Sequence, residues 1–394
     1  MVVNTPFPPP QVQKPFSDRA EEAPPVFALI VPVWGKHHTD LFTRYCLPSL
    51  LTPGNLGALK KKGGKLFIVS TQADLEMIRS QESYSRAANT VPVIEIEVDG
   101  RVDLSNTHRA MTECYALALR TLPPQHTVSI FLTPDCVVSR NSLERTIDIV
   151  SSGYRAVMVC GLRLNLDTAG PTLDHMFHNG AEASAIEETR LCDVALRNLH
   201  PISQSCDVNS AAFCDQWPSH LYWIDPDKKW LVAHCFHLHP LAVFGIPNII
   251  DAQTTIDGDY LKALDLKSHE IYVCHNSDEI SCFELSPGKK SFGMEAGRFT
   301  ERALVRFAER HCNDLHIDFF PKPIVFRSFD KPIIPPSVVR QANRYFSVVA
   351  KGSLREAAVY LAIRSIKQQP FLDRTIGSLA RRLRRTLRQL RSRR

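Results

Sequence analysis

The sequence predicts an α/β fold, a mostly parallel sheet covered by helices on both faces, with a C-terminal helical extension. Three observations predict it. Short, almost wholly apolar runs alternate with segments of helical spacing from Val26 to about Leu164. Strands joined by helices pair in parallel, and a parallel sheet must be covered on both faces. Beyond about Arg298 the helical pattern dominates.

The elements follow in order. Residues 1–25 hold seven prolines and little apolar material, which predicts a disordered arm. VFALIVPVW is a buried strand, and TDLFTRYCLPSLL has helical spacing with Thr39 as its cap. KLFIVST and QADLEMIRSQ form the next strand–helix pair, then VPVIEIEV and SNTHRAMTECYALALRTL. TVSIFLTPD is a strand, SRNSLERTIDIVSSG a helix capped by Ser139 and closed by Gly153, and RAVMVCGLRL one further strand. After Leu164 the alternation weakens: GPTLDHMFHNGAEAS reads as a loop and EETRLCDVALRNL as a helix. An aromatic segment follows with Trp217, Trp223 and Trp230 and four histidines, a composition suited to a substrate pocket. This divides the chain into the arm (1–25), an α/β domain (26–298, with halves at 26–164 and 165–298), a helical region (299–370) and a tail helix (371–394).

Charge separates the tail from the body. The net charge is +6, but residues 372–394 carry nine Arg and one Asp, leaving the other 371 residues at −2. A near-neutral body argues against a nucleic-acid-binding core. In the tail, Ile376, Leu379, Leu383, Leu387 and Leu390 form one apolar stripe flanked by arginines. A basic amphipathic helix of this kind suits an anionic membrane surface, at about 1 kcal/mol per basic residue. Packing on its own domain and binding RNA are the competing readings. Eleven unpatterned cysteines, no spanning apolar run and no signal-peptide pattern place the expected protein in the cytoplasm, peripheral on the inner face of the membrane.

Ligands of open parallel sheets bind beyond the carboxyl ends of the strands. Those ends here are Pro32-Val33-Trp34-Gly35, Ser70-Thr71, Asp99-Gly100 and Thr133-Pro134-Asp135. The chain lacks both G-x-G-x-x-G after the first strand and the Walker-type loop, which argues against a dinucleotide site or a P-loop. His237 and His239 in FHLHP are placed on one side of a strand, a spacing that suits metal chelation.

PVWGKHHTDLFTRYCLPSLLTPGNLGAL, the His108 helix, FLTPDCVVSRNSL and TIDGDYL, in that order, resemble bacterial glycosyltransferases of the A-type fold over residues 26–285. The resemblance implies a nucleotide-diphosphate sugar over the strand ends, at Pro32, Val33, Trp34, Thr71, Asp99, His108 and Asp135. It puts Asp135 on the family's D-x-D position, here with a single acid. That position implies a divalent metal, Mn²⁺ or Mg²⁺, with His237 or His239 completing the set. Asp257, ahead of Asp259, falls where inverting members carry the base that takes the acceptor hydroxyl's proton. The implied acceptor is a glycan or a lipid-linked sugar in surface polysaccharide assembly. Asp278 and Glu279 are weaker pocket candidates. Two alternatives stay open: a catalytically inactive scaffold of the same fold, and a metal-dependent hydrolase built on the His-x-His pair.

Overall fold

The computed structural model describes residues 25–98, 100, 102–178, 188–246, 261, 264–289, 297–328 and 334–350. Residues 1–24 of the expected arm, the helical region beyond residue 350 and the tail helix lie outside them. The chain divides into two compact units, Met1–Ala342 and Asn343–Arg394. The described part of the second unit, residues 343–350, is helical.

Thirteen strands are described: β1 Val26–Val33, β2 Lys65–Ser70, β3 Val93–Glu97, β4 Thr127–Phe131, β5 Cys136–Val138, β6 Ala156–Val159, β7 Leu162–Asn165, β8 His220–Ile224, β9 Trp230–Cys235, β10 His239–Phe244, β11 Ile271–Val273, β12 Cys282–Ser286 and β13 Ile324–Arg327. The central sheet runs β11-β6-β10-β4-β1-β2-β3 and is parallel except for β10, which is antiparallel to both neighbours. Ile30 pairs with Phe67 on one side and Phe131 on the other. Successive β1 side chains enter two separate cores: Ala28 and Ile30 face one, Leu29, Val31 and Val33 the other. Burial of both faces is why the strand reads as an unbroken apolar run. Two three-stranded sheets flank the main one, β5-β12-β7 and the antiparallel β13-β9-β8.

Four expectations need correction. Thr39 does not cap the first helix: the helix begins at Lys36, Gly35 precedes it at φ 77°, and the Thr39 hydroxyl turns to Asp74. Ser139 does not cap the helix Ser142–Ser151, whose preceding residue is Asn141 in the left-handed region. RAVMVCGLRL is two strands, β6 and β7, which break at Cys160-Gly161 and enter different sheets. GPTLDHMFH belongs to a helix, Leu166–His178, with Pro171 inside it. There Ala169, Leu173, Met176 and Phe177 are buried on one face, and that burial outweighs the Gly-Pro breaker.

The first helix carries the mark of its own proline. Residues 36–50 run as α-helix, a π-turn at Phe42–Cys46, then α-helix again. Pro48 has no N–H for the carbonyls one turn back. Those carbonyls find partners elsewhere: Ser83 Oγ donates to Thr43 O at 2.8 Å, and His178 Nε2 lies 3.0 Å from Arg44 O. The widened turn and the two outside donors let the chain keep Pro48 in mid-helix.

Candidate functional site

The strand order contains a switch point. From β1 the chain steps outward through β2 and β3, then returns to pair β4 with the other edge of β1. Connections therefore leave the carboxyl ends of β1 and β4 in opposite directions and open a crevice between them, the usual ligand position in such sheets.

The β1 side of this crevice is Pro32 and Val33, both buried, then half-buried Trp34 and exposed Gly35. Asp74 fixes it. Its carboxylate accepts from Gly35 N at 2.9 Å, Thr39 Oγ1 at 3.2 Å and Thr71 Oγ1 at 2.7 Å. Thr71 Oγ1 in turn accepts from Asp74 N at 3.2 Å, capping the helix Gln72–Arg79. Thr71, a predicted ligand contact, thus spends its hydroxyl on holding the loop. Asp74 was the residue to find; the spacing Thr-x-x-Asp before an apolar helix is a capping signature visible in the sequence.

On the β4 side, three successive carbonyls at and just past the end of the strand are held by three different elements. His239 Nε2 reaches Phe131 O at 2.9 Å, Tyr115 Oη donates to Leu132 O at 2.9 Å, and Cys46 Sγ lies 3.9 Å from Thr133 O. Asp135 follows in the turn, half-buried, and its own carbonyl accepts from Leu285 N at 2.9 Å. The backbone of the turn is thus held by the protein's own groups. Burial lowers the His239 pKa, against the raising effect of the Phe131 carbonyl, which matches a neutral imidazole donating through Nε2. Cys136, next to Asp135, is a free thiol whose pKa is pushed up by its hydrogen bond with the Cys282 thiol and by burial, so it is an inert packing group.

A cavity of about 330 Å³ opens nearby, past the end of β6. Gly161, Arg163, Tyr222, His220 and His237 line it, with Glu284 paired to Arg163 at 2.5 Å. Trp217 stands at its wall, 40% exposed, with its ring against Phe307 at 4.9 Å and His311 at 4.6 Å. Burial, with some help from His237, pushes the His220 pKa down to about 4, so its imidazole is neutral. A partly exposed aromatic ring beside an ion pair and a neutral imidazole fits a polar, ring-shaped ligand.

The other predicted residues scatter. His108 is exposed in the first turn of the helix Thr107–Leu119. Glu279 accepts from Tyr272 Oη at 2.7 Å and pairs with Arg145; Asp278 lies 3.9 Å from Arg327. Both are tied into the surrounding packing. Asp99, Asp257 and Asp259 lie outside the described residues.

His237 and His239 do not share one side of a strand: β10 begins at His239, and His237 sits in the bend before it. His239 turns to the Phe131 carbonyl, while His237 joins Cys312 and His316, their ligand atoms all within 4.8 Å of one another. A manganese or magnesium ion at Asp135 wants several oxygen ligands. Among the described residues Asp135 belongs to no group of three metal-ligating side chains.

No protein-family model and no curated protein matches the chain. Solved structures similar to it include the mannosyltransferase PcManGT from Pyrobaculum calidifontis in complex with GDP-Man and Mn²⁺. That likeness has 12% identity and a TM-score of 0.31, over 90% of this chain and 84% of that one. TarS of S. aureus is similar at 15% identity and a TM-score of 0.27, over 35% of this chain and 22% of that one. The chain thus spans about a fifth of the length of TarS. Mouse xyloside xylosyltransferase 1, in its apo form, is similar at 11% identity and a TM-score of 0.24, over 38% of this chain and 57% of that one.

Proposed function

We propose that the protein is a glycosyltransferase that binds a nucleotide-diphosphate sugar in the crevice between β1 and β4 and transfers the sugar to a glycan or lipid-linked acceptor. The observation that carries this reading is the Asp135 turn, held at a topological switch point by His239, Tyr115 and Cys46. Sheets of this kind bind nucleotides at such points. Trp34 meets the base or ribose in this reading. Lys36, exposed at the start of the first helix, supplies positive charge toward a diphosphate, and His37 beside it a hydrogen-bonding imidazole. Asp135 accepts hydroxyl hydrogens of the ribose or sugar. The cavity beside Trp217 takes the acceptor.

The acceptor hydroxyl attacks the anomeric carbon, its proton passes to a carboxylate, and the nucleoside diphosphate departs with the bonding electrons. Asp257 is the candidate for that base, with Asp259 beside it. The arginine-rich segment 371–394 would hold the enzyme at an anionic membrane where lipid-linked acceptors reside.

Thermal unfolding in the presence of nucleoside diphosphates and their sugars, with and without Mn²⁺, tests the reading. One of them should raise the midpoint by about 2–5 °C at a hundredfold excess over its Kd. Asp135→Ala should remove that shift and abolish sugar transfer or donor hydrolysis. No shift with any of them overturns the proposal. The lone acid at the turn favours one second reading, a binding protein of the same fold: it predicts the shift without any transfer or hydrolysis.

A further inference from the structure

His237, Cys312 and His316 come from two parts of the chain far apart in sequence. His237 lies in the bend between β9 and β10; Cys312 closes the helix Glu301–His311, and His316 sits in the first turn of the helix Asp314–Phe319. Their ligand atoms lie within 4.8 Å of one another, and the two imidazole rings meet edge to face at 4.4 Å. His316 is 1% exposed, and Phe307 and Trp217 pack around His237 at 5.6 and 6.3 Å. No carboxylate belongs to the group.

We infer that these three side chains form a zinc site. Two imidazoles and a thiolate are borderline-to-soft donors, which suit Zn²⁺ and exclude Mg²⁺ or Mn²⁺ as the preferred ion. Tetrahedral zinc places such donors about 3.3–3.7 Å apart, so the group contracts by an ångström or so at its widest gap. The Trp217 and Phe307 rings wall the His237 side of the group. Cys312 and His316 are four residues apart at a helix start, so one local segment presents two ligands and the distant bend presents the third.

The cap at this helix start sets what His316 exchanges on binding zinc. Asn313 and His316 form a reciprocal cap: Asn313 Oδ1 accepts from His316 N, and His316 Nδ1 accepts from Asn313 N, both at 3.1 Å. That bond leaves the ring proton on Nε2. Zinc taken at Nε2 moves the proton to Nδ1 and gives up the Asn313 bond, one hydrogen bond exchanged for a coordinate bond, while Cys312 releases its proton to solvent. The bound ion would staple the helices 301–319 to the β9–β10 bend. Because His237 also lines the 330 Å³ cavity, the fourth coordination position would open toward it, for water or an acceptor oxygen.

The inference stands apart from the sugar-nucleotide reading. Elemental analysis of the purified full-length chain after zinc loading and desalting should give one zinc per chain. Cobalt substitution should give a thiolate-to-cobalt charge-transfer band. Cys312→Ser should remove the band, and both Cys312→Ser and His237→Gln should weaken zinc binding at least tenfold. Both positions are half-buried, so the variants should fold, as circular dichroism would verify. Asp135→Ala should keep its zinc. Loss of any nucleotide shift with zinc retained would sink the proposed function and leave this site standing. Less than a tenth of an equivalent of zinc, or full zinc retention in Cys312→Ser, would overturn it.

Discussion

At the residue scale, His234 makes the fold sensitive to acid. It is 2% exposed, its Nδ1 lies 3.0 Å from Phe320 O, and burial pushes its pKa down to about 4 from the usual 6.5. The unfolded chain takes up a proton near pH 6.5 and the folded chain does not until about pH 4. Stability is therefore full above pH 6.5 and falls as pH drops toward 4, by about 3 kcal/mol for this group. His220 shifts in the same direction. Urea unfolding at pH 7.5 and 4.5 should show the loss, and His234→Gln should flatten it. A chain equally stable at both pH values would contradict the assignment.

At the scale of elements, the helix that follows Asp135 is positioned by a loop from the far side of β1. Gly54 sits at φ 76°, and a Cβ there would come within 2.6 Å of the Asn141 backbone. Glu144 N donates to Gly54 O at 2.8 Å, and Asn141 N to Pro53 O at 2.9 Å. Asn55, fully buried, accepts from Leu143 N and donates to Ser139 O, each at 3.0 Å. Gly54→Ala combines a left-handed backbone with a clash that no side-chain rotation relieves. It should cost about 2–4 kcal/mol in denaturant unfolding, while Gly57→Ala, in a helix with open space around it, should be neutral or stabilising by up to about 1 kcal/mol. Equal costs at the two positions would refute the docking role of this loop.

The strands and most helices were legible because their patterns are local. VFALIVPVW carries its two-sided burial in its composition, and EETRLCDVALRNL its helix in its spacing. What could not be read is what depends on distant partners. GPTLDHMFH is helical because a core face waits for Leu173 and Phe177. His237 and His239 part company because β10 starts between them, and nothing within FHLHP announces where a strand pairing begins. Cys312 and His316 carried no signal, since their third partner is about 75 residues away in sequence. Asp74 is the exception, a local capping pattern that was there to be seen.

At the scale of the whole molecule, charge is divided by region: −2 over residues 1–371 and +8 over 372–394. No helix among the described residues is long and apolar enough to cross a membrane. If the segment 372–394 docks on lipid, the full chain should float with vesicles containing about 30% anionic lipid and dissociate at high salt, and a chain ending at residue 370 should stay at the bottom of the gradient. Co-flotation of both chains would refute the role of the tail.

The antiparallel β10 has a consequence for synthesis. It fills the gap between β4 and β6, and its first residue, His239, holds the Phe131 carbonyl beside the Asp135 turn. On the ribosome β4 emerges more than a hundred residues before β10, a wait of about 5–20 s at ordinary elongation rates. Throughout that interval the nascent sheet has two raw edges, each able to pair with a neighbouring chain. The crevice is thus among the last features of the domain to be completed, and a nascent chain stalled before residue 239 would have its Asp135 turn held by Tyr115 and Cys46 without the His239 bond.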